Sequence, residues 1–112
     1  MILRSFIDES YDKKVFLLSA LTAVGTEWRW LSRDWMACIE KWNVKLLTHR
    51  RKPITRFHAS ECNSLVNEFE GWSREEQIEF MSGLIKVLNR AELDCVCLAL
   101  DLEDLNFRTC CN

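Results

Sequence analysis

The chain is short of chain-breaking residues, with one proline, Pro53, and three glycines among its 112 residues. It contains no Gly-rich phosphate loop and no nucleophile elbow. It also lacks a dominant charge. Fifteen basic and seventeen acidic side chains leave a formal net charge of -2, so no global field draws it to nucleic acid or to an anionic membrane. Binding of that kind has to come from a local patch. No apolar run is long enough to span a bilayer, no segment repeats or is of low complexity, and the cysteines do not have the paired CxxC spacing of a structural zinc site.

What the sequence has in quantity is apolar and aromatic surface. It is 48% hydrophobic with five Trp and six Phe, which predicts one packed, globular domain over residues 1–112. Cys38, Cys62, Cys95, Cys97, Cys110 and Cys111 could in arithmetic form three disulfides. With no secretory leader evident at the N-terminus they are expected as reduced thiols in a cytoplasm. Lys13-Lys14 and the apolar run from Val15 to Gly25 do imitate a signal peptide if translation starts late, but the acids Asp8, Glu9 and Asp12 just upstream of the basic pair argue against one.

Ile2 to Asp8 reads as a first strand that ends in the acids Asp8-Glu9-Ser10, and about 14 to 24 as a second, central strand covered on both faces. Glu9 to Lys13 is the length of a hairpin loop. After Gly25-Thr26, Trp28, Leu31, Trp35, Ile39 and Trp42 recur at helical spacing and predict a helix whose aromatic stripe packs on the second strand. Lys45 to Arg56 reads as a basic loop or strand entry, and Leu65 to Trp72 is ambiguous. Ser73-Arg74-Glu75-Glu76 has capping-box form and opens a helix marked by Ile78, Met81, Leu84, Ile85 and Leu88. Cys95 to Leu100 is a third strand ending in Asp101. The fold class is therefore α/β or α+β, with helices on a mixed sheet. Residues 106–112 have no periodic pattern, so the domain reads as truncated at its C-terminus.

Phe6-Ile7-Asp8-Glu9-Ser10, Phe57-His58-Ala59-Ser60-Glu61-Cys62 and Glu68-Phe69-Glu70-Gly71-Trp72-Ser73, in that order, resemble the bacterial family catalogued as domain of unknown function 3800, from about residue 4 to about residue 105. The resemblance implies a ribonuclease H-like fold, in which a central sheet and flanking helices gather carboxylates around divalent metal ions for phosphodiester hydrolysis. Asp8 matches the acid after the first strand, with Glu9 and Ser10 completing that motif, and His58 and Glu61 match the middle motif. The family continues into a distal segment with a further Asp in an Ala-Asp context. This chain has none, so the resemblance implies an incomplete domain, weakly active or inactive.

Two-metal chemistry needs several carboxylates around ions about 4 Å apart. Asp8, Glu61 and Asp101 are the candidate ligands for Mg2+ or Mn2+, and Asp8, His58 and Glu61 the candidate catalytic groups. Each has a plainer counterpart. Asp8-Glu9-Ser10 is also ordinary turn chemistry, His58 and Glu61 also suit a helix start, and Asp101 also suits a solvated strand end. Arg50, Arg51, Lys52 and Arg56, with His49, form a local basic loop able to hold a phosphate backbone. Two functions follow as expectations. The first is a metal-dependent nuclease-like domain with no membrane association. The second is a non-catalytic interaction module whose incomplete sheet takes a strand from a partner or self-associates.

Overall fold

The computed structural model describes residues 2–103 and, for the backbone, 106–111. The chain is α+β, in the order β1 (Leu3–Tyr11), β2 (Val15–Val24), α1 (Gly25–Thr48), α2 (Ala59–Ser64), a short 3-10 turn (Asn67–Phe69), α3 (Arg74–Arg90), β3 (Asp94–Asp101) and β4 (Asn106–Cys111). It divides into a sheet unit, Met1–Arg29 with Glu92–Asn112, and a helical unit, Trp30–Ala91. α1 starts in the first and continues into the second.

The sheet has four strands in the order β1-β2-β3-β4, every neighbouring pair antiparallel. This corrects two expectations. The sheet is not mixed, and the segment without periodicity after Asp104 contains a fourth strand. The β1–β2 turn is tighter than its sequence suggested, because one Asp12 carboxylate oxygen accepts the N–H groups of Lys14 at 2.7 Å and Val15 at 2.8 Å. These two bonds hold the Asp12 carboxyl below its ordinary pKa, and they bring Asp12 N–H within 3.0 Å of Val15 O. The ladder therefore closes as far as Tyr11 opposite Phe16.

β2 is central, as expected, but only half-buried for most of its length, and every residue of β1 is exposed. Trp28, at the start of α1, covers part of one face. Its ring meets Phe6 edge-on at a centroid distance of 4.8 Å, and its indole N–H donates to Arg4 O at 2.9 Å.

The helical unit holds the aromatic core. Ile39, Trp42, Leu46, Ile54, Cys62, Phe69, Trp72, Phe80 and Leu84 form one buried cluster, with Trp35 partly buried against it. Trp42 stacks on Trp72 at 5.1 Å and meets Phe80 at 5.7 Å. Of the expected α1 stripe, Ile39, Trp42 and Trp35 belong to this cluster. α3 begins at the expected capping box, with Ser73 and Glu76 each accepting the other's backbone N–H. Its buried face, however, is Gln77, Phe80, Leu84 and Val87, while Ile78 and Ile85 are exposed. The 3-4-3 spacing of those four residues follows one side of the helix, and Ile78 and Ile85 fall off it. Buried Gln77 donates to the carbonyls of Cys62 at 2.6 Å and Asn63 at 2.9 Å, which ties α3 to the end of α2.

Candidate functional site

The hydrogen bonds at the two ends of the hairpin set which way the β1 backbone faces. Asp12 N–H bonds Val15 O, and Gly25 N–H bonds Ile2 O at 3.2 Å. In an antiparallel ladder the groups alternate, so the even-numbered residues from Ile2 to Asp12 bond β2. The N–H and C=O groups of Leu3, Ser5, Ile7, Glu9 and Tyr11 point to the open side, because β1 ends the sheet. Side chains alternate with the same period: Arg4, Phe6, Asp8 and Ser10 share one face, and Leu3, Ser5, Ile7, Glu9 and Tyr11 the other. Large apolar groups are exposed on both, with Phe6 at 60% and Ile7 at 65%. One edge amide is capped within the strand itself, since Asp8 Oδ1 accepts Glu9 N–H at 2.9 Å.

Asp8 is therefore not at a strand end, as the sequence suggested. It lies inside β1 opposite Ser19, with Glu9, Ser10 and Tyr11 still paired beyond it. The strand passes through the acids because it is an edge, where charged side chains reach water. Asp101 closes β3 opposite Val15, and its Oδ1 accepts Glu103 N–H at 3.0 Å. The two acids share a face, and their strands run parallel, but β2 lies between them. Four register positions and two strand spacings put their Cα atoms about 16 Å apart. β1 and β3 are thus not neighbours in the sheet.

His58 and Glu61 belong to the helical unit. His58 is the extended residue before α2, and its Nδ1 lies 3.0 Å from Ser60 Oγ. Glu61 Oε1 accepts from Asn67 Nδ2 at 2.9 Å. Each has its own local partner, and Ser60 does not cap the helix. Among the described residues, no group of three or more His, Cys, Asp or Glu stands close enough to hold a metal ion.

The basic segment is pinned, and partly helical, since α1 runs to Thr48. Asn43 and Ile54 exchange two hydrogen bonds, at 2.8 and 2.7 Å. Arg51 bonds Glu76 at 2.5 Å and lies over the Trp72 ring at 5.7 Å, so it serves the fold. Arg50, Lys52 and Arg56 are the exposed cations of the expected phosphate-binding loop.

A cavity of about 640 Å3 that no sequence pattern marks lies between α1 and α3, where Lys41, Lys45, Lys86 and Arg90 are interleaved with Asp34 and Glu79. The acids offset much of its positive field. Cys38 lines it too, and burial pushes that thiol up, against the pull of Lys41 and Arg90. Burial also raises Cys62. Both therefore stay protonated and poorly nucleophilic at neutral pH.

No helix among the described residues is long and apolar enough to cross a membrane. No family model matches the chain, and neither the curated proteins nor the solved structures contain a match. Function therefore has to be read from the geometry.

Proposed function

We propose that this chain is a protein-interaction module whose β1 edge is completed by an extended strand from a partner. The observation that carries the reading is the edge itself: β1 is nine residues long and exposed throughout, and every second residue presents an outward N–H and C=O. Added main-chain hydrogen bonds supply affinity, and alternating side chains supply selectivity. Edges of this length are usually covered, bulged, or blunted by proline or charge; β1 has no proline, and its charges, Arg4, Asp8 and Glu9, are of mixed sign. The free thiols Cys38, Cys62, Cys95 and Cys97 support a reducing compartment such as the cytoplasm.

The resemblance described above supports a different reading, a magnesium- or manganese-dependent nuclease built on Asp8, His58, Glu61 and Asp101. The wide spacing of Asp8 and Asp101 across the sheet places this reading second, because two carboxylates so far apart do not share ions about 4 Å from one another.

The test is binding of a panel of labelled extended peptides with alternating apolar and polar residues, measured by anisotropy against the protein and its Ile7→Pro variant. Ile7 N–H faces outward, so proline there blocks an added strand while leaving the β1–β2 ladder its bonds. At least one peptide should bind, and lose about tenfold or more in affinity to the variant. Absence of binding across the panel, or binding indifferent to the substitution, overturns the reading.

A further inference from the structure

We infer that the strand received by β1 is β1 of a second copy of this chain, running antiparallel, with the two-fold axis at Phe6. This rests on the strand-addition reading and names its partner. Parity restricts the choice at once. Outward backbone groups belong to odd-numbered residues, so in an antiparallel homotypic pair odd residues must oppose odd ones. The axis then passes through a residue and not between two.

Charge selects which residue. With the axis at Phe6, Arg4 stands opposite Asp8 of the second copy, Phe6 opposite Phe6, and Asp8 opposite Arg4. These are the non-hydrogen-bonded positions, where side chains come closest. Opposite charges and paired aromatics are the favourable cross-strand combinations. Leu3 then exchanges hydrogen bonds with Glu9, and Ser5 with Ile7, each pair occurring twice by symmetry. An axis at Ile7 would set Phe6 against Asp8 and leave Arg4 facing Ser10. An axis at Asp8 would set two carboxylates against each other. Neither matches the charges.

The free edge already holds the groups this pairing uses. Arg4 makes no ion pair among the described residues, and Phe6 is 60% exposed with Trp28 against its ring. Asp8 covers the outward Glu9 N–H at 2.9 Å. On pairing, that N–H passes to Leu3 O of the second copy, which frees the carboxylate for Arg4 of the second copy. Asp8 thus caps the edge when it is open and bridges it when it is closed.

The test is sedimentation velocity over a concentration series on the whole chain, for the wild type, Arg4→Asp, Asp8→Arg and the double variant. Each single reversal sets like charges opposite each other twice, and self-association should weaken about tenfold or more. The double variant restores opposite charges and should return to within about threefold of the wild type. In parallel, Phe6→Cys should give, on mild oxidation, a dimer linked at position 6 by peptide mapping, since facing positions in such pairs lie within disulfide reach. This second measurement decides the matter if a charge variant fails to fold. A wild type that stays monomeric at high concentration overturns the second-copy inference while peptide binding at the edge still stands. A dimer indifferent to the single reversals, or a Phe6→Cys variant that does not link at position 6, also overturns it.

Discussion

Arg51 Nη1 donates to Glu76 Oε2 across 2.5 Å, joining the segment after α1 to the first turn of α3. The pair is only partly exposed, at 31% for Arg51 and 21% for Glu76. Glu76 also accepts Ser73 N–H at 3.0 Å. One carboxylate thus caps a helix and anchors a basic loop.

The bond from Arg51, followed by that from Ser73, lowers the Glu76 pKa from 4.5 to about 2. The folded protein holds this proton less well than the unfolded chain, so the stabilisation is complete above about pH 4.5 and is lost as pH falls toward about 2. Arg51→Ala should cost on the order of 1 kcal/mol at neutral pH and flatten the decline in melting temperature over that acid window. Thermal unfolding followed by circular dichroism from about pH 6 to about pH 2 checks it. Equal slopes for both proteins would show that the pair contributes nothing.

Phe80 is fully buried and meets four other rings. Phe80→Ala should cost about 3–5 kcal/mol in urea unfolding. Ile78→Ala and Ile85→Ala, on the exposed side of α3, should stay within about 0.5 kcal/mol of the wild type. The opposite ranking would mean that α3 buries its other face.

Gln77 is the buried polar link between α3 and the end of α2. Gln77→Leu keeps most of the volume but leaves the Cys62 and Asn63 carbonyls without this donor, and should cost about 1–3 kcal/mol. Urea unfolding of that variant checks the value. A neutral result would mean that the two carbonyls find other donors.

Magnesium or manganese at millimolar levels should leave the melting temperatures of the wild type and of Asp8→Ala equally unchanged. A metal-induced rise abolished by Asp8→Ala would restore the nuclease reading.

Much of the fold was legible where a local bond dictates structure. Ser73 and Glu76 announced α3 because their capping is a contact three residues apart. Although β4 carried no periodic pattern, the apolar runs of β2 and β3 were equally plain. The face of α3 was not, since Ile78 and Ile85 carry the same apolar signal as Phe80 and Leu84, and only the position of the Trp42–Trp72 stack decides between them. β1 runs past the acids to Tyr11 because Asp and Glu, poor strand formers in general, are tolerated at an edge. Asp12 was the available signal: an Asp whose carboxylate accepts N–H groups two and three residues on marks the true turn. The basic loop lost Arg51 to the fold through a partner 25 residues away, a pairing that composition does not reveal.

Residue-resolved amide exchange along β1, without and then with the strand partner bound, tests the central claim most directly. In the free protein the Arg4, Phe6, Asp8 and Ser10 amides should exchange slowly, and those of Leu3, Ser5, Ile7 and Tyr11 quickly. Binding should slow Ser5, Ile7 and Glu9 by about tenfold or more and leave the even-numbered set nearly unchanged. Leu3, Ser5, Ile7 or Tyr11 amides that are already slow in the free protein, or Ser5 and Ile7 amides that stay fast in the complex, would contradict an edge that receives a strand.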